Sequence, residues 1–421
     1  MVHDRRQVVK QIGSIAAVGT LAGCVNVSSG GDQTPTGSSD DAGDSSTPTD
    51  TGAKASLWHA RSEGPQETLK SNVATYEESS PNTVALSKIS DLEKKTTATI
   101  PAGNGPHTFD WAHDWVGRYS ENGFLSDQSG SLDITPSEEY TGTAVDAVKY
   151  KGGLYGLPYA AETVGLVYNT DLVDGAPKTL DEMEQVMKDH HDPANGKYGL
   201  SYPMNPYFCS AWVHALGGFY YDEENDELGL TNDSTVEAFK LIRDRLYKYS
   251  PDSVKYNAQA AAFADGNAPF AINGPWFVGT VKGNVPVGVD GFPTVGGDAP
   301  APFTGVKMLY FTTRMGSDPE AATAARDFAQ WYTTNTSVLK GLANDHGYVP
   351  VHTSLTGSDD LPATVKGYSK AVQQGTPTPT APKMADVWDP VKSAIQSIMT
   401  GNKDVKPALE TATEQITSAW E

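Results

Sequence analysis

The sequence predicts an α/β protein built as two lobes, and three observations carry that prediction. Short apolar runs of strand character alternate with segments whose apolar residues recur at helical spacing. Roughly 370 residues follow a polar N-terminal arm, a length at which a chain divides into two packed units more readily than it builds one. Aromatic residues stand beside carboxylates in segments that read as loops, where binding groups gather.

The chain opens with Arg5-Arg6, then Gln7 to Lys10, then the weakly apolar run Ile12 to Ala22, an order that resembles a twin-arginine export signal. Leu21-Ala22-Gly23-Cys24 follows and resembles a lipobox, in which small residues admit a processing peptidase and the thiol of Cys24 takes lipid. Residues 1–23 are therefore expected to be removed. The apolar run is shorter than the roughly 20 residues that span a bilayer. From residue 24 to about 53 the chain is Ser, Thr, Gly, Asp and Pro with almost nothing to bury, so it is expected to serve as a tether between a membrane anchor and the folded body.

Acidic residues outnumber basic ones, 52 against 31, for a formal net charge of -21; the leader carries a net +2, so its loss leaves -23. So negative a surface repels phosphates, which excludes nucleic acid as a partner. Acid-rich turns such as Asp222 to Glu227 resemble those of proteins from salt-rich habitats, whose carboxylates hold water. Only two cysteines are present, so once Cys24 is lipidated Cys209 has no intrachain disulfide partner, and thiol ligands for zinc are too few.

Along the body, Ala55 to Trp58 reads as a strand and is followed by a helix with Leu69, Val73 and Tyr76 on one face. Thr83 to Leu86 and Thr108 to Trp111 read as strands, as does Val164 to Tyr168. Leu180 to His190 reads as a helix, and so does Val236 to Tyr249, with Phe239, Ile242, Leu246 and Tyr249 on its buried side. A last clear helix starts near Ser317, where Asp318 is placed to cap and Pro319 suits the first turn. No internal repeat is present.

The chain lacks G-x-S-x-G, H-E-x-x-H and the phosphate-cradling G-x-x-x-x-G-K-[ST], and no cofactor or metal is expected. His190-His191 reads as a helix end. Five segments instead combine rings with acids or with chain-bending residues: Trp111 to Trp115, Tyr155 to Glu162, Pro206 to Phe208, Asn273 to Trp276, and Trp388 to Pro390. Sugars suit that mixture, because a pyranose offers a C–H face to an aromatic ring and a rim of hydroxyls to carboxylates.

Several of these segments, in order, resemble the maltose-binding proteins of ABC sugar importers. The similarity runs through Asn104-Gly105-Pro106, Trp111-Ala112-His113-Asp114, Tyr150 to Pro158, Ala161-Glu162, Leu166 to Leu172, Asn273-Gly274-Pro275-Trp276, Phe292-Pro293-Thr294 and Pro302 to Val306. It implies a two-lobed, periplasmic-binding-protein-like fold of the second type, with a hinge and ligand in the cleft between the lobes. Residues 54–160 plus 306–352 would form one lobe and 161–305 plus 360–421 the other. It also implies that Asp114 and Glu162 accept hydrogen bonds from sugar hydroxyls, while Trp111, Tyr207, Trp276 and Trp388 stack on or flank the rings. Read locally, the lesser alternatives are a helix cap for Asp114, a role that can coexist with sugar contact, and an exposed acid for Glu162.

The implied function is capture of a maltose-like oligosaccharide by hinge closure and its delivery to membrane permease subunits. The protein would be a monomer held by lipid outside the cell membrane, with no enzymatic step. The alternatives are a binding protein for another solute, or a secreted glycoside hydrolase using Asp114 and Glu162. Three departures from the family pattern bear on which sugar is read. Trp58 to Gly64 lacks the acid–lysine pair, which makes Arg61 and Glu63 candidate contacts; Trp115 stands where an arginine is usual and is a candidate platform; Asn205 replaces an acid before Pro206-Tyr207, adding Asn205 and Phe208 as candidates.

Overall fold

The computed structural model describes residues 52–281 and 283–421. Arg5, Arg6, Cys24 and nearly all of the expected tether lie outside the described residues. Among those described, no helix is long and apolar enough to cross a membrane.

The first strand, β1 (Lys54–His59), leads into α1 (Glu63–Ser79), whose Leu69, Val73 and Tyr76 are buried at the expected spacing. Then come β2 (Thr83–Lys88), α2 (Leu92–Thr99), β3 (Thr108–Ala112), a tight turn at His113–Trp115, and α3 (Val116–Glu121). Two consecutive strands follow the intervening short elements, β4 (Gly156–Glu162) and β5 (Gly165–Asn169). Next is α4 (Leu180–His190), started by Thr179, whose side chain accepts from the Glu182 amide. The chain continues through β6 (Leu200–Ser201), α5 (Pro206–Ala215), α6 (Asp233–Leu241) and α7 (Tyr256–Ala264) to β7 (Phe270–Asn273), α8 (Pro275–Val281) and β8 (Val287–Asp290). The long strand β9 (Phe303–Phe311) precedes α9 (Pro319–Thr334), capped by Asp318 with Pro319 in the first turn as the sequence predicts. Beyond it lie α10 (Thr336–His346), β10 (Val349–Pro350), α11 (Ala363–Gln374), β11 (Thr376–Pro377), α12 (Trp388–Met399) and α13 (Val405–Trp420).

Two expectations need correction. The helix predicted over 236–249 divides: past α6 the backbone widens at Ile242–Leu246 and tightens at Tyr247–Tyr249, while the four predicted residues stay buried. The helix at Pro319 is also not the last, since four follow. Small residues fill much of their buried sides, as with Ala408 and Ala412 of α13, and these blur the apolar period in sequence.

The strands form two principal sheets. The larger has the order β10-β4-β9-β3-β1-β2, with β11 also on β9; β1 runs parallel to β2 and β3, whereas β9 is antiparallel to β3 and β4. The smaller has the order β8-β5-β7-β6. The chain leaves the larger sheet after Glu162 and enters the smaller at Gly165, so two residues separate consecutive strands of different sheets. Strand β9 is tied to α5 at its start, where the Phe303 amide donates to Ser210 Oγ at 2.8 Å, and then runs down the larger sheet.

Three apolar interiors hold these layers. One gathers Leu57, Leu69, Leu157, Leu309, Phe328 and Tyr332 with helices α1, α9 and α10. A second surrounds Trp212, Phe239, Ile395 and Leu409 beneath the smaller sheet. A third lies under the turn after β3, around Phe109, Trp115, Tyr119 and Tyr310. Burying such side chains contributes about 1.5–3 kcal/mol each. Cys209 is sealed in the second interior, and burial pushes its thiol up to about 12.

Candidate functional site

Parallel strands β1 and β3 end at the same edge of the larger sheet, which places Arg61, Asp110, Trp111 and Asp114 together. Open α/β sheets bind ligands outside such carboxyl ends. Facing residues come from helix starts: Tyr207 in the first turn of α5, Trp276 in that of α8, and Trp388 at the first position of α12. The segments predicted as loops are thus one whole strand, one strand end and three helix beginnings, and the residues that read as loop formers, Pro206, Pro275 and Pro390, occupy first turns, where a missing amide costs nothing.

Two cavities adjoin at this edge. One of about 200 Å³ is lined by Trp111, His113, Asp114, Glu162, Tyr207, Trp276, Thr378 and Trp388 among others. The second, about 180 Å³, is lined by Arg61, Pro65, Asp110, Lys307 and Tyr348, and shares Trp111, Glu162 and Trp276 with the first. The six principal residues expected from sequence therefore share one wall-to-wall space.

Its polar groups are unevenly satisfied. Asp114 does not cap a helix by its side chain, and its Oδ1 is sealed from solvent with no hydrogen-bond partner. Burial, reinforced by the charge of Glu162, pushes the Asp114 carboxyl up to about 7. Burial also raises Glu162, against the opposing pull of Lys307. Tyr207 Oη donates to the Glu162 carbonyl at 3.1 Å, fixing the ring against β4. Trp388 lies edge-on to Phe303 with ring centroids 5.8 Å apart. His113 is buried and held down to about 4, and its Nδ1 accepts the Val306 amide at 3.1 Å, so the imidazole is neutral and ties the turn to β9.

The secondary candidates are placed differently from expectation. Arg61 floors the smaller cavity, but its polar atoms turn inward: Nε meets Asp110, Nη1 donates to Tyr332 Oη at 2.9 Å and Nη2 to Tyr159 Oη at 3.0 Å. Trp115 is buried and stacks beneath Trp111, so it supports a ring that faces the cleft instead of facing it. Glu63 is exposed on the first turn of α1, outside both linings. Asn205 caps α5, its Oδ1 accepting the Phe208 amide at 3.2 Å, and Phe208 is buried edge-on behind Trp276. Lys307, Asp110, Tyr348 and Thr378 line the space without having been singled out in sequence. Asp110 carried a usable signal, since a charge inside the strand-like Thr108 to Trp111 demands a buried partner. Among the described residues, no group of His, Cys, Asp and Glu is arranged to hold a metal ion.

The arrangement offers ring faces, acceptor carboxylates and one ammonium around a polar cleft, a surface suited to a polyhydroxylated solute. Comparison with known proteins agrees with that chemistry. Residues 72–389 match the family described as bacterial extracellular solute-binding protein. A maltotriose-binding protein of Pyrococcus abyssi is 35% identical over 373 residues, covering 86% of this chain and 82% of its own. A maltodextrin-binding protein of Bacillus subtilis is 28% identical, covering 75% and 78%. The maltotriose-binding protein of Thermus thermophilus, solved with maltotriose bound, superposes with a TM-score of 0.78 at 28% identity, covering 87% of this chain and 100% of that one. The two-lobed α/β fold implied by the sequence resemblance is the fold observed.

Proposed function

The chain belongs to the bacterial extracellular solute-binding proteins, and from that membership we propose that it captures maltose-class oligosaccharides for an ABC importer. The observation that carries this reading is the shared cavity of Trp111, Asp114, Glu162, Tyr207, Trp276 and Trp388, with an unpartnered carboxylate oxygen at its wall. Ring faces supply affinity by stacking, and carboxylates select hydroxyl positions because charge-assisted hydrogen bonds are directional. The names of the relatives in Pyrococcus and Bacillus point to the same ligand class.

In this reading the lobes comprise 54–160 plus 306–352 and 161–305 plus 360–421, and sugar stabilises their closure through contacts made with both. The protein performs no catalysis, acts as a monomer, and hands its cargo to permease subunits. Cys24 carries the lipid that holds it at the outer face of the membrane, a role supported by the lipobox-like residues before it and by a pneumococcal relative described as a lipoprotein. Loss of membrane association in a Cys24→Ala variant expressed in its host checks the anchor.

Maltotriose at a thousandfold excess over its dissociation constant stabilises a folded binder by about 4 kcal/mol, so a thermal-shift assay reads the function directly. The melting temperature is expected to rise with maltotriose and not with an unrelated solute such as spermidine, and no new reducing ends are expected on prolonged incubation. A shift with spermidine alone would move the protein to another solute class, and turnover of the sugar would make it a hydrolase.

A further inference from the structure

Lys307 sits where the larger sheet is irregular. It pairs with Ala112 of β3 and Ala160 of β4, but the next residue, Met308, pairs with Pro158, so Tyr159 is an extra residue in β4. Bulges of this kind recur beside functional sites because they re-aim a side chain, and Pro158, which has no amide to give the ladder, fits there. Lys307 thereby reaches the smaller cavity alongside Trp111, Glu162 and Trp276.

Its ammonium stands 5.3 Å from the centre of the Trp111 ring, and among the described residues no hydrogen bond or ion pair ends on it. The Glu162 carboxylate likewise receives no hydrogen bond. Arg61, by contrast, donates from each of its three guanidinium nitrogens, to Asp110, Tyr332 and Tyr159. The cluster thus holds one cation already bonded within the protein and one that is not. Burial works to lower the Lys307 amine, but Glu162 and Asp110 outweigh it and keep the amine charged.

Trp115 stacks on Trp111 with ring centroids 4.8 Å apart, which occupies one face of that indole. The ammonium is the other group drawn to that ring, 5.3 Å from its centre. A pyranose stacking on Trp111 competes with it for the indole, and a displaced ammonium in a half-buried site requires acceptors. Hydroxyl oxygens of the same sugar supply them.

We propose that Lys307 is a ligand-binding residue: its ammonium turns from Trp111 to donate to a hydroxyl oxygen of the docked sugar, and that hydroxyl donates in turn to Glu162. One hydroxyl is then read both as acceptor and as donor, which discriminates its position on the ring more sharply than a carboxylate alone. The inference rests on the maltose-class reading of the site.

The test titrates maltotriose into the protein and its Lys307→Met variant by calorimetry. Methionine keeps an unbranched apolar stem beside Trp111 and removes the donors. The dissociation constant is expected to rise about ten- to a hundredfold, with the melting temperature before sugar addition nearly unchanged. Equal affinity overturns the inference while leaving the function reading intact; absence of binding by the unaltered protein to maltotriose defeats the function reading, and the inference with it. Should the variant fail to fold, a crystal structure of the unaltered protein with maltotriose decides instead. Nζ within hydrogen-bond distance of a sugar oxygen upholds the role, and Nζ bonded to no sugar oxygen overturns it.

Discussion

The indoles of Trp111 and Trp115 lie 4.8 Å apart with their planes 24° from parallel, one at the cleft wall and the other sealed in the interior below it. Trp115 in turn stacks on Tyr119 at 5.2 Å, so a column of three rings braces the cleft wall. Two residues that look alike in sequence therefore do different work. Trp115→Ala empties a core position and is expected to lower stability by about 3–5 kcal/mol. Trp111→Ala removes a cleft ring and is expected to weaken maltotriose binding more than it lowers the melting temperature. Chemical denaturation and calorimetry on both variants check the split, and similar losses of stability in the two would contradict it.

Asp114 makes stability depend on pH in a definite direction. Its carboxyl is raised to about 7 in the folded protein from 3.8, so between those values the native state keeps a proton the unfolded chain releases. Its contribution is most favourable at the acid end of that window, declines as pH rises through it, and is constant above. Asp114→Asn removes the ionisation penalty. The variant is expected to match the parent near pH 4, to exceed it increasingly up to pH 7, and to hold that advantage at pH 8. Melting curves across the range check this, and a variant less stable than its parent at pH 8 would refute it.

Sugar binding should also release protons. Hydroxyl donation to Asp114 favours the ionised form and lowers its titration point. Calorimetric enthalpies measured near about pH 6 are then expected to differ between buffers of different ionisation heat, to agree at about pH 9, and to differ less at about pH 6 in Asp114→Asn, where only Glu162 is left to release a proton.

The buried pair of Arg61 and Asp110 supports the floor of the smaller cavity. Arg61→Met takes from Asp110 its bonded cation, leaving Tyr159 and the unbonded Lys307 ammonium, and is expected to cost about 3 kcal/mol, whereas the double change Arg61→Met with Asp110→Leu is expected to recover much of it. The guanidinium also holds the Asp110 carboxyl below its usual range against the effect of burial, so this stabilisation is present above the ordinary carboxylate value and is lost as acid reaches the depressed one. Urea titration of the three variants at neutral pH measures the pair.

Local signals in the sequence identified much of this architecture. Leu180–His190 was visible as a helix, and the cleft aromatics from their position beside Gly, Pro or an acid. What stayed hidden depends on contacts between distant residues. Arg61 reads as a ligand contact until the pairing of β1 with β3 sets it against Asp110, 49 positions away. Lys307 carries no mark in the sequence, and only the pairing that makes Tyr159 an extra residue sets it beside Trp111. Trp111 and Trp115, four apart, carry no local mark that says which faces water.

Strand β9 begins against the interior that holds Trp212 and ends among the residues of the other two, since Phe303 packs with Trp212, Leu309 and Phe311 with Leu57, and Met308 and Tyr310 with Phe109. No half of the molecule can come apart while this spar stays in place. Heating should therefore produce one endotherm, with calorimetric and van't Hoff enthalpies in agreement, despite a length at which chains commonly melt piecewise. Cleavage within 303–311 would dismantle every interior at once, while a nick in the exposed turn at 223–226 would be survived.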